Sequence, residues 1–62
     1  MSKPDPAAVA AFQNLKDKFI EAVADPTVSV DTVEKAAWDA HNKIEASGGD
    51  YSGVADAANR PG

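Results

Sequence analysis

The chain has no cysteine, and only one residue each of leucine, methionine, histidine, tryptophan and tyrosine among its 62. Each scarcity excludes something. Without thiols no disulfide can staple the domain, and with a single histidine no multi-histidine metal site can either. No stretch approaches the roughly 18 consecutive apolar residues of a membrane span. Residues 1–6 carry no apolar run, so a signal peptide is not expected and the cytoplasm is the default compartment. Basic residues are few: six against ten acids, for a net charge of −4. Phosphate contacts need Lys and Arg, so this balance argues against nucleic-acid binding and against an anionic membrane surface.

Large apolar residues are scarce as well. The hydrophobic fraction is 44%, but 13 of those residues are alanine and 14 are larger. Alanine buries little area, and buried apolar area stabilises a core at roughly 25 cal/mol per Å². A single domain of this length is therefore expected to be marginal on its own. Self-association or docking on a larger partner follows as a physical expectation.

What is present is helical patterning. From Pro6 to Ala24, stepping about 100° per residue gathers Ala8, Phe12, Leu15, Phe19, Ala22 and Val23 on one side. Val9 and Ile20 lie at the edge of that stripe, and Gln13, Asn14, Asp17, Lys18 and Glu21 lie opposite. Asp5 suits the N-cap and Pro6 the first helical position, where its missing N–H is not needed. Lys16 sits inside the stripe. Its stem can lie along the seam with the amine at the rim, or its charge can face a partner. Asp25-Pro26 ends the helix.

A second helix is expected from about Val30 to Ala46, capped by Ser29 with Asp31 in its first turn. Val28 and Val33 are spaced for a hydrophobic staple, and a competing start has Asp31 as the cap with Glu34 behind it. Val30, Val33, Ala37, Ala40 and Ile44 form the apolar stripe. Asp31–Lys35 and Asp39–Lys43 are i,i+4 pairs in the favourable order. Ser47-Gly48-Gly49 stops the helix, with Gly48 in the left-handed position.

The short link between the helices favours antiparallel neighbours. The expected fold is all-α: a single small domain over residues 1–62 built on an antiparallel helical hairpin (about 6–24 and 30–46), with flexible ends at 1–4 and 60–62. In it Phe12, Leu15, Phe19 and Val23 pack on Val33, Ala37, Ala40 and Ile44. Residues 50–59 read as a short third helix capped by Asp50 or Ser52, with Tyr51, Val54, Ala55 and Ala58 inward. Gly53 in its first turn weakens that reading, and a loose tail is the alternative.

Catalytic patterns are missing. The serines have no histidine nearby in sequence, and Asp17 and Glu21 lie on a solvated face without the apolar surroundings that raise a carboxyl pKa for acid catalysis. Gly48-Gly49 opens onto acidic Asp50, which repels phosphate. Two helices do not readily enclose a substrate pocket of several hundred Å³. No enzyme activity, cofactor, metal or small-molecule substrate is expected.

One constellation stands out. Trp38, His41 and Glu45 share a strip beside the apolar stripe of the second helix. Trp38 either fills space at the margin of the core or anchors a partner. His41 and Glu45 have a spacing that two metal ligands use, but no third ligand accompanies them. The expected function is a small non-catalytic protein–protein interaction module, an accessory, assembly or structural subunit of a larger complex or homo-oligomer. Trp38, His41, Glu45, Phe12, Phe19 and Lys16 are the candidate partner-binding residues. The alternative is an acidic inhibitor or nucleic-acid mimic that binds a basic surface, weakened by the lysines interspersed among the acids. A helix-turn-helix reader is permitted by topology and opposed by charge.

Overall fold

A computed structural model describes residues 4–60. Three helices follow in order: α1 (Pro6–Ala24), α2 (Val30–Ala46) and α3 (Tyr51–Asn59), with no strand among the described residues. α1 packs against both α2 and α3. The architecture is the helical hairpin with a short third helix. Of the expected flexible ends, residues 1–3, 61 and 62 lie outside the described residues. Pro4 is half-buried, and the Arg60 guanidinium pairs with Asp56 at 2.9 Å.

Each helix starts as its sequence dictates. The Asp5 carboxylate accepts the Ala7 N–H at 3.0 Å, and Pro6 occupies the first turn. Ser29 Oγ accepts the Asp31 N–H at 3.1 Å, so the earlier of the two candidate caps is the one used. Asp50 accepts the Gly53 N–H at 2.9 Å. Gly53 thus has a positive role: a Cβ there would lie 2.1 Å from the Asp50 carboxylate and displace the cap. The helix-weakening glycine is what lets the cap close over α3.

α2 ends in a Schellman motif. The Gly49 N–H donates to the Ile44 carbonyl at 2.8 Å and the Gly48 N–H to the Glu45 carbonyl at 3.2 Å, satisfying two terminal acceptors. Gly48 has φ +116° and Gly49 φ +77°, so both positions use backbone freedom that side chains oppose.

The turn between α1 and α2 is held by Asp25, whose carboxylate accepts the Thr27 hydroxyl at 2.7 Å and the Thr27 N–H at 3.0 Å. These bonds, the hydroxyl's first, hold the Asp25 carboxyl below its ordinary value of 3.8. A carboxyl with a lower pKa folded than unfolded stabilises the fold fully above the unfolded value, and that contribution is lost as pH falls through the folded one. Asp25→Asn is expected to flatten the decline in Tm between about pH 5 and pH 3, read by circular dichroism. An unchanged slope would mean that the turn does not favour the ionised form.

The core departs from the expected packing. Its centre is Ala8, Ile44 and Val54, one residue from each helix, with Val9 and Phe12 packed against it. Ala11, Ala36, Ala40 and Ala58 complete the buried set. Among the described residues, Ile44 and Val54 are the large side chains that are fully buried. The expected partners Phe19 and Val23 are instead 59% and 74% exposed, and Val30 of the α2 stripe is 72% exposed. The reason is the position of α3. Val54 meets Ala8, and Asn59 five residues later meets Lys16, so α3 runs alongside α1 in the same direction and ends midway along it. Three helices close a core at the open end of the hairpin. At the turn end two helices cannot enclose one.

Of the expected i,i+4 pairs, Asp39–Lys43 closes at 2.9 Å. Asp31–Lys35 is not an ion pair among the described residues. Lys18–Glu21 at 3.6 Å and Asp56–Arg60 at 2.9 Å add two pairs that the sequence reading did not single out.

Candidate functional site

α1 presents two strips a quarter-turn apart. Ala8, Ala11 and the half-buried Leu15 and Ala22 face α2, while Val9, Phe12 and Lys16 face α3. The second strip continues past the end of α3 through Phe19, Ile20 and Val23, because the helix repeats at about 3.6 residues per turn. Nothing in the described chain covers it there. An open hollow of about 370 Å³ lies among Leu15, Lys16, Phe19 and Ile20.

α2 is arranged in parallel fashion. Val33, Ala36, Ala40 and Ile44 turn toward α1, and Glu34, Ala37, Trp38 and His41 lie round its side and line a second open hollow of about 290 Å³. His41 touches the first residue of α3: the Tyr51 hydroxyl lies 2.6 Å from His41 Nδ1. The α2 strip is therefore on the same side of the hairpin as α3, as is the bare strip of α1. One face of the hairpin thus carries α3 over its open end and exposed apolar side chains over its turn end.

Trp38 is 65% exposed, so it does not fill the core margin. Its ring meets that of His41 edge to face, centroids 5.6 Å apart, and the His41 ring is 5.9 Å from that of Tyr51. Tyr51, expected to point inward, instead turns out to join this aromatic row at 42% exposure. The bond to His41 decides its direction, since a phenol hydroxyl needs a partner and the alanine core offers none. Partial desolvation, followed by the nearby Glu45 carboxylate, raises the Tyr51 phenol above its ordinary value of 10.0. The phenol therefore remains protonated at neutral pH.

The other candidates separate. Phe12 is half-buried and packs against the core cluster. The Lys16 ammonium donates to the Asn59 side-chain carbonyl, so its stem runs under the end of α3 with its charge at the rim of the bare strip. Phe19 stands in that strip. Ile20, Val23 and Val30 belong to the same exposed surface and were passed over in the sequence, where they read as edge or core positions. Their exposure depends on where α3 stops.

No group of three or more metal-capable side chains exists among the described residues, and the hollows are lined by apolar surface with few polar groups. No helix is long and apolar enough to cross a membrane, among the described residues. Compared with known protein families, with curated proteins and with solved structures, the chain matches none.

Proposed function

We propose that this chain is a small non-catalytic interaction module whose binding surface is the turn end of the hairpin. One observation carries the reading: Phe19, Ile20, Val23, Val30 and Trp38 are each at least 59% exposed, while the buried core is mostly alanine. A monomer that leaves its large apolar groups in water and buries its small ones is arranged for association. Trp38 and Phe19 are the residue types that anchor interfaces. The module acts as an accessory, assembly or structural subunit, with the cytoplasm as its compartment. The acidic-mimic reading has less support, because Lys18–Glu21, Asp39–Lys43 and Asp56–Arg60 interleave base with acid along the helices.

The test is affinity capture on the tagged chain beside Phe19→Lys/Trp38→Ala. Both positions are exposed, so helicity by far-UV circular dichroism is expected to be unchanged. A protein, or a second copy, retained by the native chain is expected to be lost with the variant. Equal recovery on both chains would remove the reading.

A further inference from the structure

We infer that the hollow on the flank of α2 is a guanidinium site, filled by an arginine side chain of a partner protein. This rests on the interaction reading above and names the group that the partner presents. Three observations lead to it.

The first is a pair of unsatisfied groups. Glu34 and Trp38 stand i,i+4 on α2 and line one hollow of about 290 Å³ with Ala37 and His41. The other acids of α2 are occupied. Asp31 sits in the first turn, where negative charge is favourable. Asp39 is held by Lys43 at 2.9 Å, and Glu45 lies beside the Tyr51 phenol. Glu34 has no ion-pair partner among the described residues. Trp38 is 65% exposed, and among the described residues no lysine or arginine stacks on its indole. A free carboxylate beside a free aromatic ring suits a cation that uses both. The net charge of −4 favours the approach of a basic segment.

The second is rigidity. The His41 ring meets the indole edge to face at 5.6 Å, and the Tyr51 hydroxyl lies 2.6 Å from His41 Nδ1. Tyr51 opens α3, so the row of rings is braced from two helices. An aromatic wall already held in place costs less to bind against than a free one.

The third is shape. The hollow is open, with one indole as its aromatic wall and one carboxylate at its rim. A quaternary ammonium is gripped by a cage of several aromatic rings, which the lining does not provide. A lysine ammonium is a compact, strongly hydrated charge. A guanidinium is planar and weakly hydrated. It stacks flat on a single ring and turns its N–H edge to a carboxylate. Its remaining N–H groups stay in water through the open side. No lysine or arginine lines the hollow to take the α-carboxylate of a free amino acid, so the arginine belongs to a peptide chain.

The chain has one tryptophan, so its indole N–H gives a single signal in a nitrogen–proton correlation spectrum. Acetyl-arginine amide, titrated at constant ionic strength, is expected to shift that signal saturably in the millimolar range. Acetyl-citrulline amide, of the same shape without the charge, is expected to give no saturable shift, and acetyl-lysine amide a weaker one. Glu34→Gln is expected to weaken arginine binding by about threefold, with helicity unchanged because Glu34 is exposed.

Equal shifts from the arginine and citrulline amides overturn the inference, and so does an unchanged arginine affinity in Glu34→Gln. Tighter binding of free L-arginine than of the amide overturns the peptide source. A protein lost with Phe19→Lys/Trp38→Ala but fully retained by Glu34→Gln preserves the interaction reading and removes the arginine anchor. Saturable arginine binding with equal capture by the native and doubly substituted chains preserves the site and removes the interaction reading.

Discussion

Ile44→Ala is expected to cost about 2–5 kcal/mol, enough to unfold most of the chain at room temperature, because a domain of this size rarely holds more than about 3–5 kcal/mol. Ile44 is 1% exposed and is the α2 member of the buried cluster in which all three helices meet. Removing its side chain beyond Cβ leaves a void between Ala8 and Val54, neither of which can grow to fill it. The loss would be read as the far-UV helical signal at 222 nm, measured at the lowest practical concentration so that association does not contribute. Phe19→Ala is the comparison. Phe19 is the larger residue, yet at 59% exposure it is expected to change monomer stability by about 0.5 kcal/mol or less. If Phe19→Ala proved the more damaging of the two, the core would be at the turn end and this account of the packing would be wrong.

The second large effect comes from adding atoms. Ala8 is 0% exposed and sits where α1 touches both Ile44 and Val54. Ala8→Leu has no space to occupy, and must either push α3 off α1 or turn the cluster out of its rotamers. Overpacking of this kind costs about 1–3 kcal/mol, which in a domain this small lowers Tm by about 4–8 °C per kcal/mol. Ala10→Leu provides the control, since Ala10 is exposed on α1 and leucine is nearly as good a helix former. A neutral Ala8→Leu would mean that the three helices are not closely packed there. Because α3 is the shortest and least anchored helix, its loss is the expected route of relief. Tyr51 would then leave His41, and Lys16 would lose Asn59.

Both predictions turn on alanine. The sequence reading put Ala8, Ala40 and Ala58 on inward faces, but gave the α1 side of the seam to large residues, Phe19 and Val23 among them. The structure places Ala8, Ala11, Ala36, Ala40 and Ala58 in the seams, because small residues let helices approach closely, and only Ile44 and Val54 fill the junction. The exposed surface was half legible. Trp38 and Phe19 were marked as candidates from size and position, whereas Ile20, Val23 and Val30 were not. Phe12 shared the periodicity of Phe19 and met the opposite fate, because α3 covers one and stops short of the other.

The division between the two sources of information follows the range of the forces. Most local features were legible in the sequence alone: two helices, the cap at Asp5, the proline stop after Asp25 and the glycine stop at Gly48, with Ser29 or Asp31, Asp50 or Ser52, and a third helix or a loose tail left as pairs of alternatives. Those features depend on backbone sterics and on hydrogen bonds within a few residues, which the chain carries with it wherever it folds. The length of α3, its direction along α1 and the half-face it leaves bare were decided only by tertiary packing. A helical wheel gives the angle of each side chain but not which angle a neighbour occupies. Here the neighbour ends at Asn59, beside Lys16, and that end point separates the core from the exposed apolar surface.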